Sequence, residues 1–144
     1  MAAVFTTNRC LANPILWSKQ VVAGGQARAI VLNSGGANCY TGAQGFQTTH
    51  ATAEKLAELS GFPAAEIVVC STGLIGEQLD RSKLLSGVTS AFEALSETGG
   101  QEAAHAIMTT DTVAKLGSRS SADGWALGGM AKGAGMLAPG LATM

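Results

Sequence analysis

A chain of 144 residues with nine basic and ten acidic side chains carries too little charge to cover a free surface of its size, and that shortage constrains its folding most. Charged residues make up 13% of it, whereas about 25% is typical of soluble domains. Hydrophobic residues reach 47% before the 19 glycines are counted. A membrane span needs about 20 consecutive apolar residues, and runs such as Ile67 to Cys70 are far shorter. The remaining solution is a surface covered by a partner, because a permanent interface resembles a domain core and sheds charge at its centre. An obligate complex is therefore expected, built on one domain spanning 1–144 or part of one.

The same composition narrows the partners. A net charge of −1 offers no basic patch for a phosphate backbone, so nucleic acid is not expected. Cys10, Cys39 and Cys70 cannot all pair with one another, and the simplest reading makes them small buried hydrophobes. His50 and His105 do not fall at zinc spacing with any cysteine, so no metal site is expected. The start, MAAVFTTNR, lacks the charged and apolar regions of a secretory signal, which makes the cytoplasm the default location.

Along the chain, strand-like and helix-like segments alternate, which predicts an α/β or α+β layered architecture. Ala2 to Thr6 reads as a strand. Asn13-Pro14 reads as an N-cap with proline at the first helical position, opening a helix to about Ala23 that Gly24-Gly25 ends. Ala27 to Asn33, with Ile30, Val31 and Leu32 continuous, predicts a strand buried on both faces. Gln44 to Ser60 has helical spacing and stops at Gly61; Ile67 to Ser71 is a second buried strand. Asp80 caps a helix whose apolar stripe is Leu84, Leu85, Val88, Ala91, Phe92 and Leu95. A short helix over Gln101 to Met108 and a strand-like stretch from Trp125 to Met130 precede a glycine-rich end.

Three places hold residues that have a plain structural reading and could also carry chemistry. Thr72-Gly73 follows the second buried strand and sets a hydroxyl beside an unobstructed backbone N–H, which either holds an oxyanion or forms a plain turn. Lys132 is the only charge after Asp123 and sits among glycines, where it either snorkels to water or meets an anion. GGMAKGAG fits neither the Walker pattern nor GxGxxG. At the end, Ala142-Thr143-Met144 holds a threonine that becomes a nucleophile only as the first residue of a chain, where its own amine serves as base. His50 with Glu54 one turn on reads as a surface helix pair, and His105 likewise as a surface residue.

The stretch GGMAKGAGMLAPGLATM resembles the self-cleavage region of the bifunctional ornithine acetyltransferase / glutamate N-acetyltransferase family of arginine biosynthesis. NSGGAN at 33–38, CSTGLIGE at 70–77 and AIMTTDT at 106–112 match in the same order, while 113–124 departs from the family pattern. The resemblance implies a precursor cut between Ala142 and Thr143. The freed Thr143 takes the acetyl group from N2-acetylornithine and passes it to glutamate. By matching positions, Thr72 and Gly73 form the oxyanion hole, and Thr109, Lys132 and Thr143 bind substrate.

The fold implied is α/β, an α+β layered sandwich of the DmpA/ornithine-acetyltransferase-like type, incomplete without a β chain. With that β chain it forms an α2β2 heterotetramer. The resemblance further implies an N-terminal stretch before Ala2 and a β chain after Met144, so that 1–144 alone is inactive. No bound cofactor is implied; acetyl-CoA stands as a second candidate acetyl donor, a choice the residues leave open. Two other readings compete. One is a self-processing aminopeptidase of related fold, which uses water as the acyl acceptor. The other is a non-catalytic assembly subunit whose glycine-rich loops hold a small anion.

Overall fold

The computed structural model describes residues 1–135 and 140, so Ala142 and Thr143 lie outside the described residues. Helix α1 spans Asn13–Ala23, strand β1 Ala29–Asn33, helix α2 Gly42–Ser60 and strand β2 Ile67–Ser71. Helices α3 (Arg81–Glu93) and α4 (Gly100–Ala106) follow, then strands β3 (Lys115–Ser120) and β4 (Ala126–Ala131). β1 and β2 pair in parallel, with Ala29 opposite Ile67 and Asn33 opposite Ser71. A parallel pair needs a long crossover, and α2 supplies it. β3 and β4 form a separate antiparallel hairpin in which Lys115 faces Ala131.

The core lies where α1 and α2 meet this parallel pair. Trp17 and Val21 of α1, Ala53 and Leu56 of α2, Ile67, Val68 and Val69 of β2 and Val88 of α3 are buried together. α1 also covers the edge of β2 that faces away from β1. The Trp17 indole donates to the Ile67 carbonyl at 2.9 Å. The Ser18 hydroxyl donates to the Val69 carbonyl at 2.7 Å and accepts from the Val69 N–H at 3.1 Å. Two side chains thus do what a third strand would do, satisfying main-chain groups that would otherwise be buried unpaired. Ser18→Ala leaves a donor and an acceptor of Val69 without partners and is expected to cost about 1–3 kcal/mol of stability. Urea unfolding measures this; a loss under about 0.5 kcal/mol would mean that water replaces the hydroxyl.

Several elements differ from the sequence expectation for identifiable reasons. Asn13 is the first residue of α1 and not its cap; Ala12 occupies that position. The Asn13 amide instead donates to Thr41 Oγ1 at 2.9 Å and to the Gly42 carbonyl at 3.3 Å, so it is unavailable to the helix end. Ala2 to Thr6 forms no strand and finds no strand to pair with among the described residues; Phe5 packs on the cluster of Ala12, Ile15, Ala37 and Cys39. β1 is open on one face, with Ile30 57% and Leu32 40% exposed, because the helices cover only the other. Asp80 does cap α3, accepting from the Ser82 and Lys83 N–H groups, but the helix stops at Glu93. Leu95 is therefore beyond it and exposed, as is Ala91, and the stripe narrows to Leu84, Leu85, Val88 and Phe92.

The cysteines are all free, yet only Cys39 is buried; Cys70 is half-buried and Cys10 exposed. β3 falls inside 113–124, where no strand was expected. The hairpin signal there is Asp123-Gly124, with Gly124 at φ +88° and the Ser121 N–H donating to the Trp125 carbonyl at 3.0 Å. No described helix is long and apolar enough to cross a membrane.

Candidate active site

The parallel pair ends at Asn33 and Ser71, and the loops leaving these ends run side by side. The Thr72 N–H donates to the Asn33 carbonyl at 2.9 Å, the Ala37 N–H to Leu74 at 2.8 Å and the Gly76 N–H to Cys39 at 2.9 Å. NSGGAN and the segment after β2 are thus joined through their main chains. Asn33 donates from its amide to Ser71 Oγ at 2.5 Å, while its Oδ1 is buried without a partner among the described residues. The Ser34 hydroxyl donates to the Ala106 carbonyl at 2.6 Å, drawing the end of α4 and the threonines behind it to the same place.

Gly73 is the position in these loops that most strongly favours glycine. Its φ is +122°, and a Cβ there would sit 3.0 Å from the Gly36 nitrogen and 3.2 Å from the Ser34 carbonyl oxygen. The positive φ strains any L side chain there, and the adjoining main chain would have to give by a few tenths of an ångström to admit a Cβ. Its N–H has no acceptor among the described residues, next to the nearly buried Thr72.

Lys132 follows β4 directly and reaches across to these loops. Its ammonium donates to Thr72 Oγ1 at 3.2 Å and to Thr109 Oγ1 at 2.5 Å, with the side chain 13% exposed. Of the residues singled out from sequence, Thr72, Gly73, Thr109 and Lys132 are therefore brought together. Thr143 and Ala142 lie outside the described residues.

One member of the cluster was not anticipated. Asp111, whose side chain is wholly shielded from solvent, accepts from Lys115 Nζ at 2.5 Å and from the Gly133 N–H at 2.6 Å. Its other oxygen accepts from the Thr109 N–H at 3.3 Å and lies 3.8 Å from Lys132 Nζ. The Lys115 ammonium foremost, and then the Gly133 N–H, hold this carboxyl well below the usual carboxylate range despite burial, which acts the other way. The sequence carries a signal for it: an acid inside TTDT with Lys115 four residues on, in a charge-poor chain.

His50 lies 3.6 Å from Glu54 on the exposed side of α2, with its ring edge-on to Trp17, and His105 is exposed on α4, bonded to the Gln101 carbonyl. Both are remote in role from the cluster. Among the described residues no group of three or more His, Cys, Asp or Glu side chains stands close enough to hold a metal ion.

A crossover α/β unit and the hairpin beside it gather strand-end hydroxyls, an open glycine amide and a lysine, the kinds of donor that can hold a small anion or a carbonyl oxygen gaining negative charge. This chain belongs to the ArgJ family, whose model matches residues 1–144. It is 63% identical over 143 residues to the arginine biosynthesis bifunctional protein ArgJ of Streptomyces coelicolor, and 60% identical to that of Thermobifida fusca. Each match covers 99% of this chain and 37% of the relative, so the chain spans little more than a third of the curated relatives' length. Among solved structures it resembles ornithine acetyltransferase complexed with ornithine from Mycobacterium tuberculosis, at TM-score 0.93 and 53% identity. That match covers 96% of this chain and 76% of the other. The ArgJ protein of Bacillus halodurans is similar at TM-score 0.84 and 32% identity, over 95% and 74% of the two chains. The fold is thus that of ornithine acetyltransferase-like structures, with mixed α/β topology.

Proposed function

We propose that this chain is the α portion of an acetyltransferase of arginine biosynthesis, moving acetyl from N2-acetylornithine to glutamate through Thr143. The observation that carries the reading is the ammonium of Lys132 bridging the hydroxyls of Thr72 and Thr109 beside the open amide of Gly73. Cleavage before Thr143 frees its amine, which then accepts the hydroxyl proton as the oxygen attacks the acetyl carbon. The carbonyl oxygen becomes an oxyanion, for which the Thr72 hydroxyl and the Gly73 N–H are the donors. Collapse breaks the C–N bond, ornithine leaves with a proton, and the amine of glutamate attacks the resulting ester by the same route in reverse. Lys132 and Thr109 contact substrate, the lysine through a carboxylate or the acetyl-bearing end.

A β chain of the same precursor completes the layered sandwich, in an α2β2 assembly. The exposed apolar side chains support this: Ile30 and Leu32 on the open face of β1, and Leu116, Leu127 and Met130 on the hairpin. All twelve hairpin residues are exposed, and a two-stranded ribbon with neither face covered is marginal in water. The curated relatives' additional length is consistent with such a second portion.

In the complete polypeptide carrying this chain, acetyl transfer from N2-acetylornithine to glutamate tests the reading. Thr72→Ala is expected to lower kcat by about 10²–10³-fold, the usual consequence of losing one oxyanion donor. Release of acetate to water in place of acetylglutamate would instead favour a hydrolase. Wild-type kinetics from Thr72→Ala would remove the hydroxyl from the mechanism.

A further inference from the structure

We infer that Asp111 is a positioning residue that holds the Lys132 ammonium on Thr72 and Thr109, and that Lys115 serves as its counter-ion so that the charge of Lys132 stays available to a ligand. The inference rests on the acyl-transfer reading and deepens it.

Three contacts make the carboxylate a junction. Through the Thr109 N–H it fixes the loop after α4; through the Gly133 N–H it fixes the chain just past Lys132; through Lys115 it fixes the start of the hairpin. Lys132 is therefore held from both ends, by its main-chain neighbour and by an oxygen 3.8 Å from its ammonium. A long, flexible lysine side chain gains a defined position from such restraint.

The charges decide how the cluster can be used. Two ammoniums and one carboxylate leave a single net positive charge. The shorter ion pair belongs to Lys115 at 2.5 Å, and the longer to Lys132 at 3.8 Å. Asp111 is thus neutralised mainly by Lys115, and Lys132 donates its hydrogen bonds to the two hydroxyls instead. A cluster so balanced suits one negative charge, whether a carboxylate or a developing oxyanion. Without Lys115 the carboxylate has only Lys132 to pair with, and the ammonium is drawn off the hydroxyls.

The test has two readouts in the complete polypeptide. In kinetics, Asp111→Asn is expected to lower kcat about 10²-fold, the order that misplacing a group by 1 Å can cost, with Asp111→Glu recovering part of it. In a Lys132→Met background the same change is expected to add nothing, because the residue it acts through is gone. An equal loss in both backgrounds would make Asp111 merely structural and overturn the inference.

The second readout needs no activity: acylation of lysines by acetic anhydride, read by mass spectrometry with exposed Lys83 as internal standard. Lys132 is expected to label several-fold faster in Asp111→Asn, near the wild-type rate in Asp111→Glu, and more slowly in Lys115→Met, where it pairs with the carboxylate. Unchanged labelling of Lys132 in both Asp111→Asn and Lys115→Met would overturn the inference. Should Asp111→Asn fail to fold, Lys115→Met, which leaves the carboxylate in place, decides by the same measurement. If wild-type protein transfers no acetyl group, the functional reading falls, and the labelling still decides the role of Asp111.

Discussion

A Thr143→Ala polypeptide is expected to remain one uncut chain and to lose acetyl transfer by roughly 10⁴–10⁶-fold, the scale seen when a covalent nucleophile is removed. The size of the effect follows from one residue serving twice. In the proposed mechanism its hydroxyl attacks the preceding peptide bond during maturation, and the amine released by that cut then activates the same hydroxyl for acetyl transfer. Alanine supplies neither the first attack nor the second. Thr143→Ser keeps both groups and is expected to cut and transfer, more slowly. Mass analysis distinguishes one chain from two, and acetylglutamate formation reports the transfer. Survival of transfer in the alanine variant would show that the acetyl group travels by another path, whatever the state of the chain.

Gly45→Ala is expected to cost about 3 kcal/mol or more of stability, combining overpacking with the loss of buried hydrogen bonds. Gly45 lies in the first turns of α2, and a Cβ there would meet Thr41 Oγ1 and Asn38 Oδ1, as well as Asn13 Nδ2 at 2.5 Å. These are the members of one polar network. Asn38 donates to the Gly45 carbonyl and to Thr49 Oγ1, both at 2.9 Å, and Thr41 donates to Asn38 Oδ1 at 2.6 Å. Asn38 is buried and sits at φ +49°, in the left-handed region that asparagine tolerates better than most residues. Since the network anchors the end of the loop that carries Gly36, the change is also expected to loosen the contact between Gly36 and Gly73. Urea denaturation measures the stability; a cost below about 1 kcal/mol would mean that α2 shifts to admit the methyl group.

How far the fold is legible in the sequence depends on the range of the interactions involved. α2 and β2 were legible because their apolar spacing and their glycine and proline boundaries are local properties. Asp80 was legible as a cap for the same reason. The local signal for Asn13 as a cap fails because its amide turns to Thr41, 28 residues away, a competition that no local rule reports. Ala2 to Thr6 has strand-like composition but no described neighbour to pair with, and pairing decides whether a strand exists. The solvent exposure of Ile30 and Leu32 was invisible for a related reason, since a continuous apolar run tells how much surface wants cover without telling what covers it. At the site, the close packing of Gly73 on Gly36 explains why a threonine-glycine turn there differs from an ordinary one. The role of Asp111 is not legible in the sequence because its importance lies in what it touches: two lysines and two main-chain amides that the fold alone collects.

The covering of β2 by α1 gives this small sheet a direction. With Trp17 and Ser18 occupying one border, main chain can add only beside β1, whose outer border no strand occupies among the described residues. The same strand carries the uncovered Ile30 and Leu32 on its open face. Whatever main chain extends this sheet must therefore arrive beside β1.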